Sequence, residues 1–192
     1  MLYYNVETAR QFWGKIGFWG QLSMSQSTTQ HRCESPKSIR SAVVTISDTR
    51  TLETDRGGAL IIEMLTGATH TITSRHIVRD DPAEIEPLLR QLADPAVTDA
   101  ILMTGGTGIA ARDRTFETVS SLLTKPMPGY GELFRMLSYE DIGPAAMLSR
   151  AVGGVLNNVI VLTMPGSMAA VRLAMEKLIV PEIGHLVYEA RK

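Results

Sequence analysis

The chain has 192 residues, 44% of them hydrophobic and 20% charged, and this composition predicts a folded globular protein rather than a disordered chain. Its formal net charge of −1 argues against a general nucleic-acid binder, because such proteins usually carry a basic surplus. A single cysteine, Cys33, excludes an internal disulfide and favours a cytoplasmic location, and no apolar run approaches the roughly 20 residues that a membrane helix needs.

The first 40 residues differ in character from the rest of the chain. They begin with an aromatic stretch that contains both tryptophans, Trp13 and Trp19, and continue with a polar run over residues 23–40. We interpret residues 1–40 as an N-terminal extension, either disordered or the result of a mis-assigned start codon with Met24 as the true start; an amphipathic contact arm is the alternative. A signal peptide is not expected, because no small-residue cleavage site follows the aromatic stretch. The globular domain is predicted to span residues 41–192.

From residue 41 onward, short apolar runs alternate with segments of helical periodicity. Strands are predicted at residues 42–47, 71–78, 99–104, 151–156 and 159–163. Helices are predicted at residues 58–65, from Pro82 with Asp81 as N-cap, at residues 118–123, and after Ser167. Asn157-Asn158 predicts a hairpin turn between the last two strands. This alternation predicts an α/β fold whose mostly parallel sheet is covered by helices on both faces and is made mixed by the hairpin.

In open α/β sheets, ligands bind beyond the carboxyl ends of the strands, so the loops that follow the strands are the candidate site. These loops are Asp48-Thr49-Arg50, Arg79-Asp80-Asp81, Gly105-Gly106-Thr107-Gly108 and Met164-Pro165-Gly166-Ser167. If the strands are parallel as predicted, the four loops lie along one edge of the sheet.

The loop at residues 105–108 is the most informative of the four. Three glycines in four residues leave backbone N–H groups unobstructed, and such groups can converge on an anion. Thr104 and Thr107 add hydroxyl donors. We therefore favour a phosphate-binding loop over a tight turn that merely needs glycine.

The same loop contains a rival pattern, because Gly106, Gly108 and Ala111 match the G-x-G-x-x-A pattern of dinucleotide-binding proteins. That pattern also needs an acidic residue about 20 positions later at a strand end. The nearest candidate, Glu132, follows Pro128-Gly129-Tyr130-Gly131, which we interpret as a loop. A nicotinamide-dependent enzyme is therefore the less favoured alternative.

Two aspartates are candidates for catalysis and metal binding. Asp113 either pairs with Arg112 or Arg114, caps a helix, or holds Mg²⁺ for a polyphosphate. Asp80 is not needed as a helix cap, because Asp81, which directly precedes Pro82, already fills the N-cap position. Two carboxylates from separate loops beside a phosphate-binding loop favour metal-assisted phosphoryl or nucleotidyl transfer.

Three further residues carry weaker signals. Ser149 and Arg150 end a helix-like stretch and could reach an anion, although surface arginines are more common. Ser167 is predicted as a helix N-cap, which itself creates an anion site.

Residues 41–192 resemble the MoaB/Mog family of molybdenum cofactor biosynthesis proteins, with the MoaB branch the more similar. Six runs in the same order carry the resemblance: VTISDTR (44–50), MTGGTG (103–108), RDRTFET (112–118), MPGYGELFRMLSYEDIG (127–143), LSRAVGG (148–154) and MPGS (164–167). The resemblance implies a three-layer α/β/α fold and a homo-oligomer, with a hexamer favoured over a trimer. It also implies that Mg²⁺- and ATP-dependent adenylylation of molybdopterin takes place and releases pyrophosphate.

The resemblance also assigns roles to individual residues. It implies that Asp80 and Asp113 are catalytic and hold Mg²⁺. The implied substrate-binding residues are Thr104, Gly105, Gly106, Thr107, Gly108, Thr115, Ser149, Arg150, Pro165, Gly166 and Ser167. The chain reads Arg79-Asp80 where the family often has Pro-Asp. Some members of the MoaB branch lack adenylylation activity, so a non-catalytic molybdopterin-binding or scaffold protein is the alternative; the presence of both aspartates favours an enzyme.

Overall fold

A computed structural model describes residues 34–192, which form a six-stranded sheet with the strand order β2-β1-β3-β6-β5-β4. The strands are β1 (Arg40–Ile46), β2 (Thr71–Val78), β3 (Ala100–Thr104), β4 (Lys125–Pro126), β5 (Gly153–Leu156) and β6 (Val159–Met164). The helices are α1 (Arg56–Gly67), α2 (Pro82–Leu92), α3 (Thr115–Leu122), α4 (Pro128–Ile142), α5 (Met168–Ala174) and α6 (Val180–Ala190). A 3₁₀ helix (Gly143–Leu148) follows α4, and a π-helical segment (Met175–Ile179) joins α5 to α6.

Strand pairing confirms a mixed, mostly parallel sheet. Strands β2, β1, β3 and β6 pair in parallel, whereas β5 pairs antiparallel with β6 and β4 pairs antiparallel with β5. The register places Thr104 of β3 opposite Thr45 of β1 and Met164 of β6, so these strands end at the same level. The loops that follow them therefore meet at one edge of the sheet, as predicted.

The sheet has a hydrophobic core on each face, and this gives the three layers. On one face, Leu60 and Leu65 of α1 share a buried cluster with Phe134 of α4 and Val171 of α5. On the opposite face, a second cluster joins the sheet to α2 and α3. Successive strand residues point to opposite faces, which is why a strand such as β1 is apolar along most of its length.

Most predicted elements are confirmed within a few residues. Strand β2 has the predicted bounds, and Asp81 caps α2 by accepting a hydrogen bond from the amide of Ala83. The hairpin turn is also confirmed, because Asn157 and Asn158 both have positive φ, at 49° and 63°. Helix α3 begins at Thr115, which is earlier than predicted.

The interpretation of residues 128–131 as a loop was wrong, because they form the first turn of α4. Pro128 occupies a first-turn position, where its missing N–H costs nothing. Gly131 is explained by close packing rather than by a turn, since a Cβ there would collide with the carbonyl oxygen of Ala151. Proline and glycine thus suggested a loop for reasons that only the packing of α4 reveals.

The polar run predicted to end at residue 40 already contributes to the domain. Strand β1 begins at Arg40, and the side chain of Ile39 is fully buried. Arg40 and Arg191, near the two ends of the described residues, both form ion pairs with Asp99, whose side chain is 6% exposed. The interpretations of residues 1–33 lie outside the described residues. Among residues 34–192, no helix is long and apolar enough to cross a membrane.

Candidate functional site

The glycine loop, residues 105–108, follows β3 at the edge of the sheet. Gly105 and Gly106 adopt positive φ values of 101° and 65°. The amide of Gly105 donates to the carbonyl of Met164, and the hydroxyl of Thr104 donates to the carbonyl of Pro165, so the loop is held against residues 164–167. The next three amides, at positions 106–108, donate to no acceptor within residues 34–192. They are available to an anion.

The glycines are also required by the packing around them. A Cβ at Gly105 would collide with the carbonyl oxygen of Ile46. A Cβ at Gly106 would lie 2.7 Å from Asp80 Oδ2 and 2.8 Å from Thr115 Cβ, and closer still to the Thr115 hydroxyl. The tight-turn and phosphate-binding interpretations are therefore compatible, because glycine both permits the turn and leaves the amides exposed.

Asp80 lies directly behind the glycine loop. Its Oδ1 accepts hydrogen bonds from the Thr115 hydroxyl (2.8 Å) and from the Arg114 amide (3.2 Å). Its Oδ2 is buried and has no hydrogen-bond partner among the described residues. Burial raises the pKa of Asp80 above the ordinary aspartate value, the charge of Asp113 raises it further, and the hydrogen bonds from Thr115 and Arg114 offset only part of this increase.

Asp113 lies on the loop between the glycine loop and α3. Its Oδ2 accepts a hydrogen bond from the Ala110 amide at 2.9 Å. No ion pair links Asp113 to Arg112 or Arg114 in the part of the chain that the structure describes, so the predicted pairing is not found. It does not cap α3 either, because the N-cap position belongs to Arg114. The half-buried Asp113 carboxylate therefore neither forms one of the predicted ion pairs nor caps α3.

The two aspartates fit a magnesium ion that is held jointly with a substrate. Asp80 and Asp113 line the same cavity, and the unpartnered Asp80 Oδ2 lies next to Gly106. No group of three or more His, Cys, Asp or Glu side chains within residues 34–192 is arranged to hold a metal without help. Mg²⁺ in phosphate-handling sites is typically bound by one or two carboxylates together with substrate phosphates and water, which matches this donor set.

Three adjoining cavities surround the glycine loop. The Arg50 cavity, about 520 Å³, is lined by residues that include Arg50, Arg56 and Thr104. The Asp80 cavity, about 260 Å³, contains both aspartates. The Ser167 cavity, about 390 Å³, is lined by residues 106–108 and 165–167, among others. Gly106 and Asp113 line both the Asp80 and the Ser167 cavities, and Gly166 lines both the Arg50 and the Ser167 cavities. Cavities of this size suit small ligands, and because the cavities share walls, ligands bound in two of them would lie next to each other.

Sequence reasoning missed several residues of the site. Ser47 and Asp48 line the Asp80 cavity, and Ser47 also accepts hydrogen bonds from the amides of Thr49 and Arg50. The sheet-edge rule had identified the loop at residues 48–50 but assigned no role to its side chains. Asp55, which is buried, caps α1 through the amide of Gly58 and lines the Arg50 cavity. An aspartate before a glycine-containing helix start is the sequence signal that could have indicated it.

The weaker predictions have mixed outcomes in the geometry. Ser167 is the N-cap of α5, as predicted, and accepts a hydrogen bond from the Ala170 amide. Ser149 lines the Ser167 cavity, and its buried hydroxyl has no partner among residues 34–192. Arg150 lines none of the three cavities, and its guanidinium donates to the protein instead. Thr115 is buried behind the glycine loop, where its hydroxyl donates to Asp80.

The dinucleotide-binding alternative does not fit the structure. That pattern needs a glycine loop that opens directly into a helix, whose N-terminus then faces the pyrophosphate. Here an exposed loop follows Gly108, and α3 begins only at Thr115. The match of Gly106, Gly108 and Ala111 is therefore coincidental.

Comparison with known proteins gives a consistent family assignment. A family model described as "Probable molybdopterin binding domain" matches residues 42–185. Molybdenum cofactor biosynthesis protein B from Bacillus anthracis is 52% identical over 167 residues, which cover 86% of this chain and 99% of that protein. The protein of the same name from Bacillus subtilis (strain 168) is 48% identical over 167 residues, covering 86% and 98%.

Solved structures agree with the sequence comparison. A crystal structure of Molybdenum cofactor biosynthesis protein B has a TM-score of 0.79 at 52% identity, covering 82% of this chain and 98% of that one. The tungsten cofactor synthesizing protein MoaB from Pyrococcus furiosus has a TM-score of 0.74 at 35% identity, covering 82% and 100%. A structure of MogA has a TM-score of 0.71 at 25% identity, covering 79% and 99%.

Proposed function

This chain belongs to the MoaB/Mog family of molybdenum cofactor biosynthesis proteins, and from its site we propose that it adenylylates molybdopterin with ATP and Mg²⁺. One observation carries the proposal: three consecutive backbone amides without an acceptor among the described residues lie beside two carboxylates from separate loops. The amides suit a phosphate, and the carboxylates suit a metal-bound polyphosphate.

In the proposed reaction, an oxygen of the pterin phosphate attacks the α-phosphorus of ATP. A new P–O bond forms there, the bond between the α-phosphorus and the oxygen that bridges it to the β-phosphate breaks, and pyrophosphate leaves. The products are adenylylated molybdopterin and pyrophosphate. The chemistry needs no covalent bond to the protein, so positioning and charge neutralisation are the main contributions of the chain.

The residues of the glycine loop hold and orient the pterin phosphate. The amides at positions 106–108 donate to its oxygens, and the contact of Thr104 with the Pro165 carbonyl keeps the loop in place. The N-terminus of α5, capped by Ser167, adds positive potential at the wall of the adjoining cavity. Arg50 and Arg56 line the Arg50 cavity and supply the cations that a second phosphate-bearing ligand needs.

Asp80 and Asp113 would hold Mg²⁺, which neutralises charge on the triphosphate as pyrophosphate departs. Asp80 is fixed by its two hydrogen bonds, and Asp113 by its contact with Ala110. The raised pKa of Asp80 follows from a buried carboxylate beside a second negative charge, which is the environment that a divalent cation would relieve.

The direct test is pyrophosphate release by the purified protein with molybdopterin, ATP and Mg²⁺. We expect release that requires all three and that Asp113→Asn abolishes without loss of the fold or of pterin binding, since Asn keeps an acceptor for the Ala110 amide. Undiminished release by Asp113→Asn would remove Asp113 from the mechanism. No release by the wild-type protein would refute the enzymatic proposal.

One observation favours the alternative of a non-catalytic pterin-binding or scaffold protein: Asp80 Oδ2 is buried next to Gly106, which leaves this carboxylate little access to a metal ion. Isothermal titration distinguishes the two functions. A scaffold binds molybdopterin but shows no Mg²⁺-dependent ATP binding, whereas the proposed enzyme binds both.

We also propose that the chain forms a homo-oligomer, with a hexamer favoured over a trimer. Helix α4 exposes Leu133, Met136, Tyr139 and Ile142, each between 47% and 60% accessible. Large apolar side chains exposed to this extent are typical of protein–protein contacts. Light scattering coupled to size-exclusion chromatography measures the mass, and a monomer at micromolar concentration would contradict the proposal.

A further inference from the structure

Arg150 contacts the backbone of the loop that carries Asp113. Its Nε donates to the carbonyl oxygen of Gly108 at 2.6 Å, and its Nη2 donates to that of Asp113 at 3.0 Å. Its Nη1 forms an ion pair with Glu117 of α3, and the guanidinium lies over the ring of Phe116, 5.2 Å from the centroid. Three of the five N–H groups of the guanidinium therefore bond to the protein.

Arg150 lines none of the three cavities around the glycine loop. Its side chain is 23% exposed, and the cavity that it does line, about 460 Å³, also contains Arg135 and meets the Ser167 cavity at Ser149. The amide of Arg150 donates to the carbonyl of Thr107, so its backbone is tied to the glycine loop as well. Arg150 thus contacts the loop with both its backbone and its side chain.

The loop at residues 108–113 has few other attachments. Residues 108–112 are exposed. Apart from the contacts of Arg150, the hydrogen bonds of residues 108–113 with the described part of the chain are internal: the Ala110 amide donates to Asp113 Oδ2, and the Asp113 amide donates to the Ala110 carbonyl. These internal bonds set the shape of the loop but do not attach it to the rest of the domain.

We propose that Arg150 is a positioning residue that holds Asp113 beside the glycine loop by clamping the carbonyls of Gly108 and Asp113. A guanidinium suits this task, because its planar set of donors reaches two acceptors at once, whereas a lysine ammonium is a single point charge. The consequence for catalysis rests on the proposed function, but the clamp itself does not.

The clamp is tested with Arg150→Lys in the full chain, and Arg90→Lys serves as the matched control because Arg90 forms a surface ion pair with Glu86 on α2. Hydrogen–deuterium exchange of peptides covering residues 105–114 needs no catalytic activity. We expect the hydrogen-bonded amides of Ala110, Asp113 and Arg114 to exchange about tenfold faster in Arg150→Lys, as for loss of one charge-assisted hydrogen bond, and at an unchanged rate in Arg90→Lys. Exchange elsewhere in the domain should stay close to wild type.

A second readout follows if the wild-type protein releases pyrophosphate. Arg150→Lys should then raise the Mg²⁺ concentration for half-maximal activity severalfold while the affinity for molybdopterin is retained, because Asp113 is displaced but the amides at positions 106–108 remain.

Equal loop exchange in Arg150→Lys and wild type would overturn the clamp. The clamp would also be overturned if Glu117→Gln accelerated loop exchange as much as Arg150→Lys does, because the ion pair between Arg150 and α3 would then be what holds the loop. Absence of pyrophosphate release would refute the proposed function and leave the exchange result as the test of the clamp.

Discussion

Replacing Gly106 with alanine tests whether the glycine loop packs against Asp80 and Thr115 as described. Gly106 has a φ of 65°, a conformation that costs an L-residue about 1 to 2 kcal/mol. The added Cβ would also lie 2.7 Å from Asp80 Oδ2 and 2.8 Å from Thr115 Cβ, well inside normal contact distance. Overpacking of this kind costs about 1 to 3 kcal/mol, because the neighbours are fixed and must shift.

Together these effects predict that Gly106→Ala lowers the free energy of unfolding by about 2 to 5 kcal/mol. For a domain of this size that corresponds to a decrease in Tm of roughly 4 to 20 °C. Differential scanning calorimetry measures the Tm, and urea titration measures the free energy of unfolding. We also expect loss of pyrophosphate release, since any shift that accommodates the methyl group moves either Asp80 or the amides at positions 106–108.

Gly129→Ala is the matched control, because a Cβ at Gly129 meets no atom within 4 Å and the residue lies in the first turn of α4. Its free energy of unfolding should be unchanged or higher by up to about 1 kcal/mol, as expected for alanine in a helix. If Gly106→Ala proved as stable as Gly129→Ala, the contacts assigned to Gly106 would be wrong.

Three further outcomes are expected. Asp80→Asn keeps an acceptor for the two hydrogen bonds of the carboxylate but removes a buried charge. Because the pKa of Asp80 is raised, its contribution to stability belongs to the protonated form and is lost as the pH rises through the folded-state pKa. At pH 7 the variant should therefore melt no lower than wild type, while pyrophosphate release falls at least about 100-fold. For the same reason, the pKa of Asp80 in the metal-free wild-type protein, followed by NMR titration of its carboxyl group, should lie above the ordinary aspartate value of about 3.9, and a pKa at or below that value would contradict the burial of Asp80. Burial alone would raise the pKa of Asp99, but its hydrogen bonds with Arg40 and the neighbouring positive charges outweigh burial and lower the pKa, so its contribution to stability is present at neutral pH and lost as the pH falls through the lowered pKa. Asp99→Asn should therefore lower the free energy of unfolding, measured by urea titration, by about 1 to 3 kcal/mol at pH 7 and by much less in acid. An equal loss at both pH values would refute this account.

The sequence alone determined the fold class and which loops meet at one edge of the sheet. Buried parallel strands are apolar along most of their length, and helices between them repeat at a helical period, so both are visible without coordinates. The identity of the loops at the sheet edge follows from the same pattern, because parallel strands all present their carboxyl ends to one side. Local chemistry also sufficed for Asp81 and Ser167 as N-caps and for the Asn157-Asn158 turn, since each depends on neighbours in the chain.

The tertiary structure decided what depends on contacts between distant residues. Glycine at position 131 predicts a loop, yet this residue lies in a helix, and the close approach of the Ala151 carbonyl explains the glycine. An arginine next to a predicted anion site suggests a ligand-binding side chain, yet Arg150 also donates to the carbonyls of Gly108 and Asp113, which the sequence does not indicate. The burial of Asp80 Oδ2 behind Gly106 joins residues from two loops, and no spacing in the sequence encodes it. Residue types and their periodicity are local properties of the chain, whereas the partner of a buried polar atom is set by how the loops pack together.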